Sequence, residues 1–527
     1  MRIKYGSLGA ALIASLQLSC ATASPAQSVG ETSFENSGAP AAQAEFTRGL
    51  AQLHNFEYDD AAAHFHKAQE IDGAFVMAYW GEAMTKNHPV WHQQDREAAQ
   101  RVLKKLGATA DDRAAKAKTD RERLYLRAVE ILYGGGAKAD RDQEYETAME
   151  GIHAKYPNDV DAACFYALSI LGSAQHGRDF AIYMRAAAVL EEVFPSHRTH
   201  PGVVHYLIHS YDDAIHAPLG LRAARIYSQI APDAGHAQHM TSHIFLALGL
   251  WDEVIKANET AMVVVNQHRA ALGKAPWSCG HYDEWLHYAY LQRGRTEDAR
   301  AIMIGCREEV AHEVVESKKP GAATNADKSM ADSFTQMRTN FLINSQLWGD
   351  AAAAWEFPDL ADHIDSRLTF DFATALSKIK QHDAHALQAV ARFEETRRQF
   401  VIWNAKQEPP DESADKRAEI LSGELKALLE VSGGHPAIAI ERLKKLSLQE
   451  HALPVEFGPP FVNKPVDELL GEILLEQHDM GGAHRAFAAA LAGAPGRMVA
   501  AAGLEASRGS ATAALPEAPA REKAAHH

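Results

Sequence analysis

Helical periodicity runs almost unbroken from residue 41 to residue 507, and both ends of that span carry the same internal spacing. In RGLAQLHNFEYDDAAAHFHKAQEID (48–72), Gly49 is followed by Ala61, Phe65 and Ala68. In GEILLEQHDMGGAHRAFAAALAGAP (471–495), Gly471 is followed by Ala483, Phe487 and Ala490 at the same intervals. Two antiparallel helices that cross closely need this arrangement. Small residues let the backbones approach, and an aromatic ring wedges between them. Alternating β-branched runs are rare, and no stretch reads as a strand, so the expected fold class is all-α.

The flanks differ in character. Arg2 and Lys4 precede an apolar run from Leu8 to Leu18, too short to span a bilayer, and Ala21-Thr22-Ala23 offers a cleavage site. Residues 1–23 therefore read as a signal peptide, which makes the protein periplasmic or secreted. Lipidation at Cys20 is the competing reading, and Gln17 stands where a lipoprotein box usually has leucine. Residues 24–40 read as a flexible leader, 41–507 as one helical domain and 508–527 as a disordered tail. No later segment is long and apolar enough to be transmembrane. The net charge of −16, with no basic stripe, excludes nucleic acid as a partner.

Several interruptions are visible. Residues 86–97 form a loop containing His88, Trp91 and His92, and 106–122 read as a charged, solvated helix. Polar breaks fall at 316–327 and 405–416. Residues 341–356 read as a further helix pair turning at Gly349. The Pro- and Gly-rich 452–465 segment cannot be helical throughout. It either joins two helix pairs or crosses a surface. Cys279 and Cys306 fall at the same side of an antiparallel helix pair, so they either bridge or stay, with Cys164, as buried thiols.

The paired Gly/Ala–Ala–Phe–Ala spacings resemble the tetratricopeptide-repeat (TPR) superfamily, with looser matches at 243–260 and 285–303. The MAYWGEAM string (77–84), His88-Pro89, HYLIHSYDD (205–213), HMTSHIF (239–245) and GPPFVNKP (458–465) together resemble a group of exported bacterial TPR proteins. That resemblance implies an α-solenoid of degenerate helix pairs in an exported protein. It implies no activity and no catalytic residue.

Three segments set histidines at helical spacing: HPGVVHYLIHSYDD (200–213), GHAQHMTSHIFLALGLWDEV (235–254) and GHYDEWLHYAYLQRGRTEDA (280–299). Counting back from Gly249 and Gly294 matches His236 with His281, His239 with Glu284 and His243 with Tyr288. Spacings of three and four put each trio on one helix face. In the superfamily pattern these positions line the concave surface. His205 and His209, at i and i+4, add a third helix, with Asp212 three residues on.

Two histidines one turn apart can grip an ion that a neighbouring helix completes. The expected ligands are His205, His209, Asp212, His239, His243, His281 and Glu284. Tyr206, His236 and Tyr288 are expected to contact or orient a bound ligand. Imidazoles suit zinc, copper or iron. Three readings follow: a groove that binds a metal ion or a polar or peptide ligand, a metal-dependent hydrolase using the same cluster, and a structural scaffold with no small-ligand site. HExxH and GxSxG are both absent from the sequence, so no motif supports the hydrolase.

Overall fold

The computed structural model describes residues 28–175, 177–318, 328–359, 363–407 and 410–508. Within them the chain is all-α: 23 α-helices and three short 3-10 turns, with one two-residue hairpin pairing Asn87 with Gln94 and His88 with Gln93. None of the described helices is long and apolar enough to cross a membrane. Residues 1–23, expected to be a signal peptide, lie outside the described residues, as do those beyond 508.

The spacings at the two ends work as wedges. Helix Gln43–His54 packs on Tyr58–Ile71, and Val466–Glu476 packs on Met480–Gly493. A Cβ at Gly49 would press on the Phe65 ring and the Ala61 carbonyl, and one at Gly471 would enter the Phe487 ring. The two register glycines act at turns. Gly249 and Gly294 both take φ of +68°, a conformation open to glycine without strain. Leu250 N donates to Phe245 O and Arg295 N donates to Tyr290 O, each at 2.8 Å, which closes both helices in a Schellman turn.

Three expectations change and one open alternative is resolved. Residues 28–39 are not loose: Ser28 and Asp233 exchange two hydrogen bonds, at 2.6 and 3.1 Å, and Val29 and Phe34 are buried. Phe34 meets Phe46, Trp80 and Tyr125, and the Arg121 guanidinium lies over its ring. Two large apolar side chains thus anchor a segment that is otherwise small and polar. The charged 106–122 stretch holds two helix starts, Ala110–Ala114 and Asp120–Leu132, because Thr109 and Thr119 each close a capping box. At 341–356 the helix Lys328–Ser345 is followed by a single 3-10 turn, Ala351–Ala354, in place of a second helix. Cys279 and Cys306 are bonded, with Cα atoms 4.5 Å apart, while Cys164 is free and buried.

Two apolar clusters fill the interior. One runs from Val29 to Ala373, the other from Ile343 to Ala500, and Trp348 packs against both. A buried ionic group ties the C-terminal helices to the middle of the chain. Arg497 donates to both carboxylate oxygens of Glu468, at 2.7 and 3.0 Å, and Lys464 donates to Glu468 at 2.9 Å. All three are at most 1 % exposed. Burial opposes the charge on Glu468, yet the two cations outweigh it and hold its carboxyl down at about 2. Arg497 also donates to the Tyr288 hydroxyl at 2.9 Å, and Trp251 Nε1 donates to Gly496 O at 2.8 Å. The helix His281–Gln292 is thereby fixed from its C-terminal side. Removing one partner of such a group strands a buried charge. Arg497→Ala should lower unfolding free energy by about 3–5 kcal/mol, read from the denaturation midpoint, and Arg497→Lys by less.

Candidate metal centre

Pro201 occupies the first turn of helix Pro201–Tyr211, where a missing N–H leaves no intrahelical bond unmade. That helix carries His205 and His209 one turn apart, their ring centroids 4.8 Å from each other. The next first-of-pair helix, Gly235–Ala247, carries His236, His239 and His243. The third, His281–Gln292, opens with His281. These helices bring six imidazoles together in two groups. One nitrogen from each of His205, His209 and His236 lies within 4.8 Å of the other two, and the same holds for His239, His243 and His281. Five of the six are buried and His281 alone is exposed.

The groups that hold these rings decide what the rings can do. His205 Nδ1 donates to the His54 carbonyl at 2.6 Å. His239 Nδ1 meets Asn258 Oδ1 at 2.6 Å, and the Asn258 amide is oriented by its own donation to Val254 O at 2.9 Å. His243 Nδ1 donates to Asp212 Oδ2 at 2.5 Å. Each contact puts the proton on Nδ1 and leaves a lone pair on Nε2. Nε2 of His239 and Nε2 of His243 then face each other at 3.1 Å. The Nε2 atoms of His205, His209 and His236 are buried with no hydrogen-bond partner in the protein. A buried polar atom left so costs on the order of 1–3 kcal/mol. Burial above all, then the neighbouring imidazoles, holds His205, His209, His236 and His239 well below the ordinary imidazole value. His281 is shifted the same way by burial first, although solvent reaches it. Neutral rings with convergent lone pairs are what a metal ion requires. Ligand nitrogens around one ion at 2.0–2.1 Å stand about 3.4 Å apart in a tetrahedron, close to the spacing already present between His239 and His243.

The other expected site residues go elsewhere. Asp212 touches no lone pair. It orients His243, and so acts behind the cluster. Glu284 is not brought in. Its carboxylate accepts from Ser333 at 3.3 Å, and burial raises it to about 8. Tyr288 is held by Arg497, and Tyr206 donates or accepts at 3.0 Å with His54 Nδ1. His236, expected as a ligand contact, stands among the nitrogens placed to hold an ion. The register match is offset: His281 packs on His239 at 4.8 Å and not on His236. The helices cross at a stagger, so 281, 282 and 285 face the cluster where 281, 284 and 288 were expected. Tyr282 stacks on His239 at 4.4 Å with its hydroxyl 3.2 Å from His236 Nδ1, and Trp285 lies 4.3 Å from His243. Trp91, from the 86–97 loop, reaches His236 at 6.2 Å.

The 452–465 segment crosses this face. Phe457 lies 5.4 Å from the His243 ring, and Gly458 sits where a Cβ would enter Trp285. Beneath the segment is a cavity of about 320 Å³ bordered by Asp212, Leu246, Trp251 and Phe461.

A third buried group was not foreseen. Asp161 Oδ1 lies 2.9 Å from His54 Nε2 and 3.3 Å from His200 Nε2. Burial opposes ionisation of Asp161, and hydrogen bonds from His200 and His54 outweigh it, keeping its carboxyl below the usual range. Because both nitrogens of His54 have partners, this group reads as a polar network. Its link to the cluster is the His54 carbonyl that orients His205.

No protein-family model matches the chain, and no curated protein matches it. What the site does therefore rests on its own geometry. Outer partners that orient ligating imidazoles typically contribute 10- to 100-fold to metal affinity. Asp212→Ala should weaken metal binding about 10- to 100-fold with helix content unchanged, whereas Asp212→Asn, which keeps an acceptor, should weaken it less. Titration followed by calorimetry measures both.

Proposed function

We propose that this chain is an exported metal-binding protein of the TPR type, and that its six clustered imidazoles hold a transition-metal cation. The observation that carries the reading is the His239–His243 contact. Both Nδ1 atoms are committed to acceptors, and both Nε2 lone pairs face each other at 3.1 Å. Two lone pairs at that distance repel unless a cation lies between or beside them. A proton in that place would charge one of the two rings: burial disfavours this for His239, and on His243 it would be shared with the Asp212 carboxylate, so metal analysis separates the two cations.

Burial also separates this reading from the peptide groove. A peptide laid along these imidazoles needs them at a surface, and five of the six are closed off. With Glu284 turned to Ser333 and Asp212 committed to the His243 Nδ1 proton, the described residues leave no free carboxylate beside the cluster to act as a general base, which favours binding over hydrolysis. Export is supported by the basic and apolar start of the sequence, and an oxidising compartment suits the Cys279–Cys306 bond.

Protein purified from its own host without chelator should carry at least one equivalent of a transition metal by elemental analysis. Replacing His239 and His243 together with alanine should remove it. Metal-free protein that takes up no ion on addition would defeat the reading. Binding to the folded state alone also stabilises: at 1,000 times Kd the gain is about 4 kcal/mol, so metal addition should raise the Tm of stripped protein.

A further inference from the structure

Resting on that reading, we propose that the six imidazoles hold two metal ions side by side, three ligands each, and that the metal is copper. The division into two groups argues for two ions. Six nitrogens around one octahedral ion would all lie within about 4.2 Å of one another, since even opposite ligands are only twice a 2.0–2.1 Å bond apart. All six would then form one group. Instead they form two with no shared member, His205/His209/His236 and His239/His243/His281.

The two groups repeat one design. Each takes two histidines at i and i+4 from one helix and a third from the helix that follows in the stack. Helix Gly235–Ala247 serves both, giving His236 to the first and His239 and His243 to the second. The groups are therefore neighbours: ring centroids lie 6.2 Å apart for His236 and His239, and 6.0 Å for His209 and His243. Three protein ligands leave each ion a free position.

The donor set selects the metal. All six ligands are neutral imidazole nitrogens, with no thiolate and no carboxylate among them. Imidazole donors suit copper, and copper stands highest in the divalent affinity order. A neutral set in a buried site also favours the ion of lower charge, because each added charge raises the desolvation cost. Among the metals that imidazole suits, copper alone has a common monovalent state. Asp212 is the one carboxylate found in direct contact with any of the six rings among the described residues, and it bears on the second group through His243.

The test uses the full-length protein, stripped and reloaded with copper(I) under argon, then with copper(II). Copper is counted by elemental analysis, and paramagnetic copper by electron paramagnetic resonance. The wild-type chain should bind two equivalents. The pairs His205→Gln/His209→Gln and His239→Gln/His243→Gln should each retain one. Glutamine keeps a polar side chain of similar reach, and circular dichroism checks that each variant is folded. Loaded with two copper(II) ions, wild type should show less resonance intensity than its copper content, because adjacent ions couple. Each single-site variant should show full intensity. One equivalent abolished by either pair means a single shared ion and overturns the proposal. Two equivalents at full intensity overturn the adjacency. Zinc that holds its place against an equal concentration of copper overturns the metal assignment. Absence of any metal binding would instead remove the reading on which this one rests.

Discussion

The site depends on which nitrogen of each imidazole carries its proton. For His205, His239 and His243 three acceptors settle it: the His54 carbonyl, the Asn258 amide oxygen and the Asp212 carboxylate each take an Nδ1 proton. Had those acceptors faced Nε2, these three rings would turn their lone pairs outward and be ordinary polar packing. The acceptors come from three separate elements: the end of helix Gln43–His54, the middle of helix Trp251–Ala271 and the residue that caps Pro201–Tyr211. Orientation of the rings is therefore a property of the assembled fold, and no single helix supplies it.

The packing of the helices keeps those acceptors in register. Schellman turns at Gly249 and Gly294 end two of the helices sharply, so each partner folds back directly. Arg497, buried against Glu468, grips Tyr288 and holds the last site helix from behind. On the other side Phe457 and Gly458 close over His243 and Trp285. A change of one ångström in any of these supports shifts a ring whose neighbour is 3.1 Å away, and that sensitivity is the usual signature of a preorganised ligand set.

Much of this was legible in the sequence because it is local. The i, i+4 pairs His205/His209 and His239/His243 follow from helical period alone, as do the Gly–Phe wedges at 49/65 and 471/487. What was not legible depends on crossing geometry. Matching helices by repeat register places Glu284 and Tyr288 beside His239 and His243, whereas the stagger brings in Tyr282 and Trp285. Asp161, His54 and His200 lie far apart in sequence and on three different elements, so no spacing could have joined them. Asp212 was visible as a candidate, but its role turns on which face of His243 it meets. The leader differs for a similar reason: a small, polar composition points to a loose segment, and says nothing of whether Phe34 finds a ring to pack on.

Neutral donors in a closed site set a constraint of their own. A cation placed there gains no ligand charge to offset its desolvation, so its stabilisation comes from lone-pair donation and from the one nearby carboxylate, Asp212, acting through the His243 ring. That anion is unevenly placed, since it contacts the His239 group and not the His205 group. The second route for polarity, Asp161 through His54 to His205, passes through a neutral ring and then a backbone carbonyl, and so delivers a weaker field. The two groups are thus alike in ligand type and unlike in electrostatics. The group with the stronger support also contains His281, the exposed member. Entry, affinity and exchange would accordingly concentrate at the His239 end, with the His205 end the more deeply held.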